Sequence, residues 1–309
     1  MPLLIATPTL KPDAWVRALR RHAPDLKVRV WPECGDFGEI TFVIAWETPP
    51  GFFRRFTNLK CIASLGAGVD HLMEDPQLPE KVCITRVIDP SITQQMSEYV
   101  LLHVLRFSRH SDRFDRDASH SRWCPRIPLR PADLTVGIMG LGQLGRDAAE
   151  KLKMLGFPVI AWRRTATRVA DMEIYSGSEA LPDFLARSRI LVCMLPLTPD
   201  TTGILNARTF AQLPQGAYVI NVARGGHLVE ADLLEAMDSG QLAGACLDVF
   251  QTEPLPADSP LWHDRRVTVT PHIASLTSPR EVVPQMVANY RRVMAGERPH
   301  QLVDVERGY

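Results

Sequence analysis

The sequence predicts an α/β protein built on two doubly wound parallel sheets, and three observations carry that reading. Short apolar runs alternate with helix-period segments along the chain, as strands do when crossover helices return them to one sheet. The 309 residues suffice for two domains of ordinary size. Near the middle, Val136-Gly137-Ile138-Met139-Gly140-Leu141-Gly142-Gln143-Leu144-Gly145 runs from an apolar stretch into three glycines at G-x-G-x-x-G spacing.

Taken in order, residues 3–6, 28–31, 42–46, 61–65 and 82–84 are strand candidates of a smaller first domain. Helical or turn-rich pieces such as residues 13–22 separate them. A helical pattern over 93–109, through Met96, Val100, Leu101, Val104, Leu105 and Ser108, links into the second domain. Arginines crowd residues 106–130, but Asp112, Asp115 and Asp117 interleave with them, which suits a solvated or interface helix better than a nucleic-acid patch. Pro125, Pro128 and Pro131 make 123–131 a loop. After the glycines, Leu144, Ala148, Ala149, Leu152 and Leu155 share one side of a helix that Gly156 stops, and 158–162 is the next strand. Strands at 190–195, 217–221, 243–248 and 267–270 then alternate with helices at 181–186, 206–213 and 230–239, the last closed by Gly240. A final helix over 278–295, ending at Gly296, is long enough to return to the first domain. The expected domains are therefore 1–97 plus 285–309, and 98–284, with an active-site cleft between them.

Composition narrows the class. Hydrophobic residues make up 45% and charged residues 23%, the balance of a globular chain and not a disordered one. A formal net charge of zero gives no global field toward nucleic acid or an anionic membrane, and neither partner is expected. The six cysteines are scattered without a C-x-x-C pair, so neither a disulfide framework nor a zinc site is expected. The apolar run at 3–6 is too short for a signal-peptide core, and no stretch approaches transmembrane length. A reducing cytoplasm is the expected compartment.

Strand, glycine turn, helix and second strand in register form a βαβ unit with a dinucleotide fingerprint. Gly140 permits the tight turn, Gly142 lets the backbone approach a pyrophosphate, and Gly145 lets the helix pack close to the sheet. The helix N-terminus offers unpaired N–H groups to the phosphates. Ligands of open α/β sheets bind beyond the carboxyl ends of the strands. Three successive strand ends carry Arg224, Glu253 and His272. A guanidinium matches the carboxylate of a keto acid, an imidazole can protonate a carbonyl oxygen, and a glutamate can orient that imidazole and favour its protonated form.

Asn221-Val222-Ala223-Arg224-Gly225, Asp248-Val249-Phe250-Gln251-Thr252-Glu253-Pro254 and Thr270-Pro271-His272-Ile273-Ala274 resemble the signatures of the D-isomer-specific 2-hydroxyacid dehydrogenases. The glycine fingerprint and Gly66-Ala67-Gly68-Val69-Asp70 fit the same family. Within it the chain is most similar to the bacterial glyoxylate/hydroxypyruvate reductase A group, through residues 65–71, Trp162-Arg163-Arg164-Thr165 and the terminal Glu306-Arg307-Gly308-Tyr309. The resemblance implies two Rossmann-like or flavodoxin-like domains and reduction of small 2-keto acids. Arg224 would bind the substrate's carboxylate and carbonyl, His272 would be the acid/base, and Glu253 its partner. Ala67 and Gly68 would offer N–H groups to the carboxylate. Trp46 would line the pocket or simply pack. Cofactor contacts would fall on Gly140, Gly142, Gln143, Leu144, Gly145, Leu195, Pro196, Thr201, Val222, Ala223 and His272, with Asp248 accepting from the nicotinamide carboxamide.

Where NAD-dependent relatives carry an acidic residue for the ribose 2′-OH, this chain has Arg163, Arg164 and Thr165. Two guanidiniums and a hydroxyl would bind a 2′-phosphate, so NADPH is expected over NADH. A bulkier D-2-hydroxy acid as substrate, or a nucleotide-sensing corepressor-like binding protein, stays as the alternative. The family also implies a homodimer through an arm at about residues 97–130.

Overall fold

The computed structural model describes residues 1–165, 169, 171–305 and 307–308. The resemblance drawn from Glu306 and Tyr309 therefore lies outside the described residues. The chain divides into two compact units, Met1–Ile92 with Thr277–Tyr309, and Thr93–Leu276. Both switches fall somewhat earlier in the chain than the expected boundaries: the first because the helix Pro90–Ser108 gives most of its length to the second unit, the second because the whole of the helix Pro279–Met294 belongs to the first unit.

The first unit holds β1 (Leu3–Ala6), β2 (Val28–Val30), β3 (Phe42–Ala45), β4 (Cys61–Ser64) and β5 (Cys83–Thr85). They form a parallel sheet of order β2-β1-β3-β4-β5, the flavodoxin-like arrangement. The central strands β1, β3 and β4 are buried throughout, which is why they read as apolar runs, whereas the edge strand β2 is half-buried and carries Arg29. On one face Leu4, Ala6, Val43, Ala45 and Ile62 pack with Phe52, Phe53 and Phe56. On the other, Phe42 meets Tyr290 of the helix Pro279–Met294 edge-on at 5.6 Å.

The second unit holds β6 (Val136–Met139), β7 (Val159–Arg163), β8 (Glu173–Ser176), β9 (Ile190–Cys193), β10 (Ala217–Asn221), β11 (Leu242–Leu247) and β12 (Val267–Val269). All pairings are parallel, in the order β12-β11-β10-β9-β6-β7-β8. The order reverses between β6 and β9, and open α/β sheets bind their ligands at the carboxyl ends beside such a switch point. Alternation sorts the side chains between two cores. Val136, Ile138, Val192 and Ile220 face the helices Pro90–Ser108 and Gln143–Met154. Met139, Leu191, Cys193, Val219 and Leu247 face the helices Leu181–Arg187, Ala207–Ala211 and Glu230–Asp238.

Most expected elements are present within a residue or two. Leu155 is a correction: it lies past the helix end at Met154 and is 45% exposed, so its side of the helix no longer governs it. Among the described strands and α-helices, the edge strand β8 and the short helix Asp70–Met73 were not foreseen.

Candidate active site

Each fingerprint glycine answers a different constraint. Gly140 has φ +100°, and a β-carbon there would lie 2.6 Å from Met194 O at the end of β9. At Gly145 a β-carbon would come 2.1 Å from Gly140 O, so helix and turn could not meet. Gly142 has neither excuse. Its φ is −77° and a β-carbon would meet nothing within 4 Å. The open space lies at the N-cap of the helix Gln143–Met154, where unpaired N–H groups and the helix dipole favour an anion. Gly142 and Gln143 are exposed, and Leu144 is half-buried.

On one side of β6, Arg163 ends β7, with Arg164 and Thr165 next and exposed. Arg164 Nη1 lies 3.8 Å from Asp200 Oδ2, on the loop that follows β9. No carboxylate occupies residues 162–165, so the strand end itself brings guanidiniums and no acid, and Asp200 is the carboxylate that a phosphate at Arg164 would displace. The β9 loop is braced internally: Thr201 Oγ1 donates to Pro196 O at 2.7 Å and accepts from Thr198 N at 2.9 Å. Thus Thr201 shapes the loop with its own hydroxyl, and Leu195 beside it is 8% exposed.

Arg224, Glu253 and His272 follow β10, β11 and β12, three neighbouring strands of one sheet. His272 Nδ1 and Glu253 Oε2 are 2.8 Å apart. A carboxylate only accepts, so Nδ1 carries the hydrogen and Nε2 is left to exchange a proton. Glu253 Oε1 accepts from Phe250 N at 2.9 Å, which fixes the carboxylate in turn. The hydrogen bond that His272 donates to Glu253 raises the His272 pKa above the ordinary imidazole value, against burial and the Arg224 charge. Burial pushes Glu253 upward, but His272, the Phe250 N–H and Arg224 together outweigh it and hold its pKa low. Paired groups whose proton affinities diverge in this way suit acid/base work.

The Arg224 turn depends on Gly225, where a β-carbon would lie 1.8 Å from the Phe250 carbonyl carbon. Backbone meets backbone there, and this contact brings Arg224 beside the loop that carries Glu253. Gly225→Ala should cost about 1–3 kcal/mol or more of stability through overpacking, with activity falling alongside. Urea unfolding midpoints and initial rates check this; an unchanged midpoint and rate would mean the 250–251 segment can recede.

Several supporting residues had no signal in the sequence. His227 is fully buried, with Nδ1 3.2 Å from Arg224 N and Nε2 3.2 Å from Pro196 O. A neutral Nε2–H tautomer serves both contacts, accepting from Arg224 N–H and donating to Pro196 O. It thereby ties the Arg224 turn to the β9 loop. Asn221 Nδ2 donates to Arg224 O at 3.0 Å, and its Oδ1 accepts from Ala223 N at 3.2 Å. Val222 and Ala223 are themselves buried.

Asp248 is 1% exposed, and its carboxylate accepts from Thr270 Oγ1 at 2.6 Å, Ile273 N at 2.8 Å and Ala274 N at 2.8 Å. Its backbone O accepts from His272 N at 2.9 Å. These bonds hold His272 at φ +54°, a left-handed conformation that a β-carbon disfavours and its surroundings must enforce. Tyr99 OH lies 2.5 Å from Thr270 Oγ1 and 3.1 Å from Cys246 Sγ. Because the carboxylate can only accept, the protons run one way, from Cys246 to Tyr99 to Thr270 to Asp248. Burial pushes the Cys246 thiol up to about 12, so it stays a donor. Asp248, expected to face a carboxamide, thus also braces the His272 loop through three donors to its carboxylate.

In the first unit, β4 runs into the loop 65–69. Ser64 closes it, accepting from Gly66 N and donating to Gly68 O, both at 3.1 Å. Ala67 and Gly68 are half-buried, and their N–H groups find no acceptor among the described residues. Trp46, half-buried after β3, lies over this loop: a β-carbon on Gly66 would be 2.7 Å from its ring, and His71 packs at 4.6 Å between centroids.

Known proteins share this fold over the full length of the chain. Residues 101–274 match the family model for the NAD-binding domain of D-isomer-specific 2-hydroxyacid dehydrogenases. The chain is 40% identical to glyoxylate/hydroxypyruvate reductase A of Serratia proteamaculans, over the whole of both chains. It is similar to a D-isomer-specific 2-hydroxyacid dehydrogenase of Xanthobacter autotrophicus crystallised with NADPH and MES, at 44% identity and TM-score 0.94, covering 100% of this chain and 99% of that one. An NADPH-dependent glyoxylate/hydroxypyruvate reductase of Sinorhizobium meliloti, crystallised with NADP and sulfate, aligns at 38% identity and TM-score 0.93 over the whole of both chains. On the family match and full-length similarity together, this chain belongs to the D-isomer-specific 2-hydroxyacid dehydrogenases.

Proposed function

We propose that the protein is an NADPH-dependent reductase of small 2-keto acids, taking glyoxylate to glycolate and hydroxypyruvate to D-glycerate. The observation that carries this reading is the His272–Glu253 pair beside Arg224, on the sheet that also bears the glycine turn and paired arginines. Relatives named for these substrates and this cofactor support it.

The glycine turn, the N-terminus of the helix Gln143–Met154, the β9 loop and residues 163–165 hold the dinucleotide. NADPH, when bound, supplies the hydride. Arg224 grips the carboxylate and polarises the carbonyl with its fork of donors. His272 gives the proton on Nε2 to the carbonyl oxygen, and Glu253 stabilises the imidazolium beforehand. The N–H groups of Ala67 and Gly68 are assigned to the substrate carboxylate, and Trp46 to the pocket lining. Arg163, Arg164 and Thr165 are assigned to the 2′-phosphate.

Initial rates with glyoxylate and hydroxypyruvate, each with NADPH and NADH, test the proposal. Turnover of either acid with NADPH favoured is expected. Turnover confined to bulkier 2-keto acids would replace the substrate assignment, and NADPH binding without turnover would favour a sensor. Replacing Arg163 and Arg164 by Ala should raise the NADPH KM about 10–100-fold, the worth of one charge-assisted hydrogen bond at 1.5–3 kcal/mol. NADH use should hardly change; equal effects on both cofactors would remove the arginines from 2′-phosphate recognition.

The protein is further assigned as a homodimer through the arm at residues 97–130, where Leu102, Phe114, Trp123 and Ile127 expose apolar surface. Light scattering after gel filtration should give twice the chain mass; a monomer at micromolar concentration would reject this.

A further inference from the structure

Cys61 and Cys83 stand far apart in sequence, and the fold makes them neighbours. Each opens its strand, β4 and β5, and the two are direct register partners in a parallel pair. Register partners project to the same face, and adjacent strands lie about 4.7–4.9 Å apart, inside the 4.4–6.8 Å window between α-carbons that a disulfide requires. β5 is the edge strand of its sheet. The pair is therefore lopsided: Cys61 is 0% exposed, whereas Cys83 is half-buried.

We propose that Cys61 and Cys83 form a redox-reactive dithiol that hydroperoxides convert to a reversible cross-strand disulfide. Cys83 is the attacking sulfur and Cys61 the resolving one. The Cys83 thiolate attacks a peroxide oxygen; the S–O bond forms, the O–O bond breaks, and the departing oxygen takes a proton to leave as water. Cys61 sulfur then attacks the sulfenic sulfur of Cys83. The S–S bond forms, the S–O bond breaks, and the Cys61 proton leaves with that oxygen as a second water. Two thiols lose two electrons in all, and one hydrogen peroxide becomes two waters.

The local chemistry favours this division of labour. The Cys83 thiol donates to Lys60 O at 3.2 Å; the neighbouring Cys61 side chain lowers the Cys83 pKa, while the Cys83 contact and burial push Cys61 up. Reactive thiols are the accessible ones with thiolate character. Of the other cysteines, Cys34, Cys193 and Cys246 are buried and Cys124 is exposed, so Cys124 is the competing target for oxidant. The proposal is independent of the catalytic assignment.

The test uses the full chain carrying Cys124→Ser, reduced, treated with hydrogen peroxide and then alkylated with N-ethylmaleimide. The free-thiol count should fall by two, and non-reducing peptide mapping should join the Cys61 and Cys83 peptides; dithiothreitol should restore both thiols. With Cys61→Ala added, dimedone should label Cys83 and no cross-link should form. With Cys83→Ser instead, peroxide should leave Cys61 intact. Alkylation of both cysteines after peroxide, or sulfinic acid at Cys83 without a cross-link while Cys61 is present, would overturn the proposal.

Discussion

His272→Asn is expected to lower kcat for keto-acid reduction by about 10²–10⁴-fold, the usual contribution of a positioned general acid. NADPH affinity should stay near the native value, because the glycine turn and the arginines at the end of β7 are untouched. Retention of near-native turnover would refute the acid assignment outright. The pH profile adds a second readout. Glu253 raises the His272 pKa, so kcat/KM for reduction should be flat on the acid side and fall above a break that lies higher than for a free imidazole. Glu253→Gln keeps an acceptor for Nδ1 but removes the negative charge. Burial and Arg224 are then opposed by Asp248 and the remaining acceptor without the Glu253 charge, and the break should move to lower pH. Stability follows the same signs. The His272 contribution is complete below the unfolded pKa and is lost as pH rises through the folded one. For Glu253, whose folded pKa is depressed, the contribution is present above the unfolded pKa and lost as pH falls through the folded value.

The strands and the strand-end trio Arg224, Glu253 and His272 were legible because each leaves a local mark. Parallel strands buried on both faces must be apolar throughout, and the turn at Gly140 needs a residue free to take positive φ. The edge strand β8 escaped for the opposite reason: its residues Glu173–Ser176 are exposed or half-buried, so neither a run nor an alternation marks them. The bracing shell was harder still. His227 reaches Pro196 and Tyr99 reaches Thr270 only after crossovers bring distant segments together. Asp248 was noticed as a strand-end acid, but only the structure shows its carboxylate already engaged by three donors. Likewise the Cys61–Cys83 pairing is a matter of register, which spacing along the chain does not encode.

Arg224→Gln should lower kcat/KM for glyoxylate by about 10²–10³-fold, the scale of losing one donor aimed at developing negative charge. Arg224→Lys should recover only part of this, since an ammonium cannot reproduce the planar fork. In the native protein the guanidinium is held from its own turn. Nη1 donates to Ala223 O at 2.7 Å, His227 accepts from the backbone N–H, and Gly225 seats the turn against the Phe250 carbonyl. A substituted side chain therefore leaves the backbone scaffold in place, and NADPH affinity should persist. The pH profile separates this charge from its neighbours. Arg224 pushes the His272 pKa down, so its removal should shift the break upward, opposite to the shift expected for Glu253→Gln. A general loss of structure would not move the break in opposite directions for the two variants. If both moved it the same way, Arg224 would not be acting on His272 through its charge, and the trio would not be a single electrostatic unit.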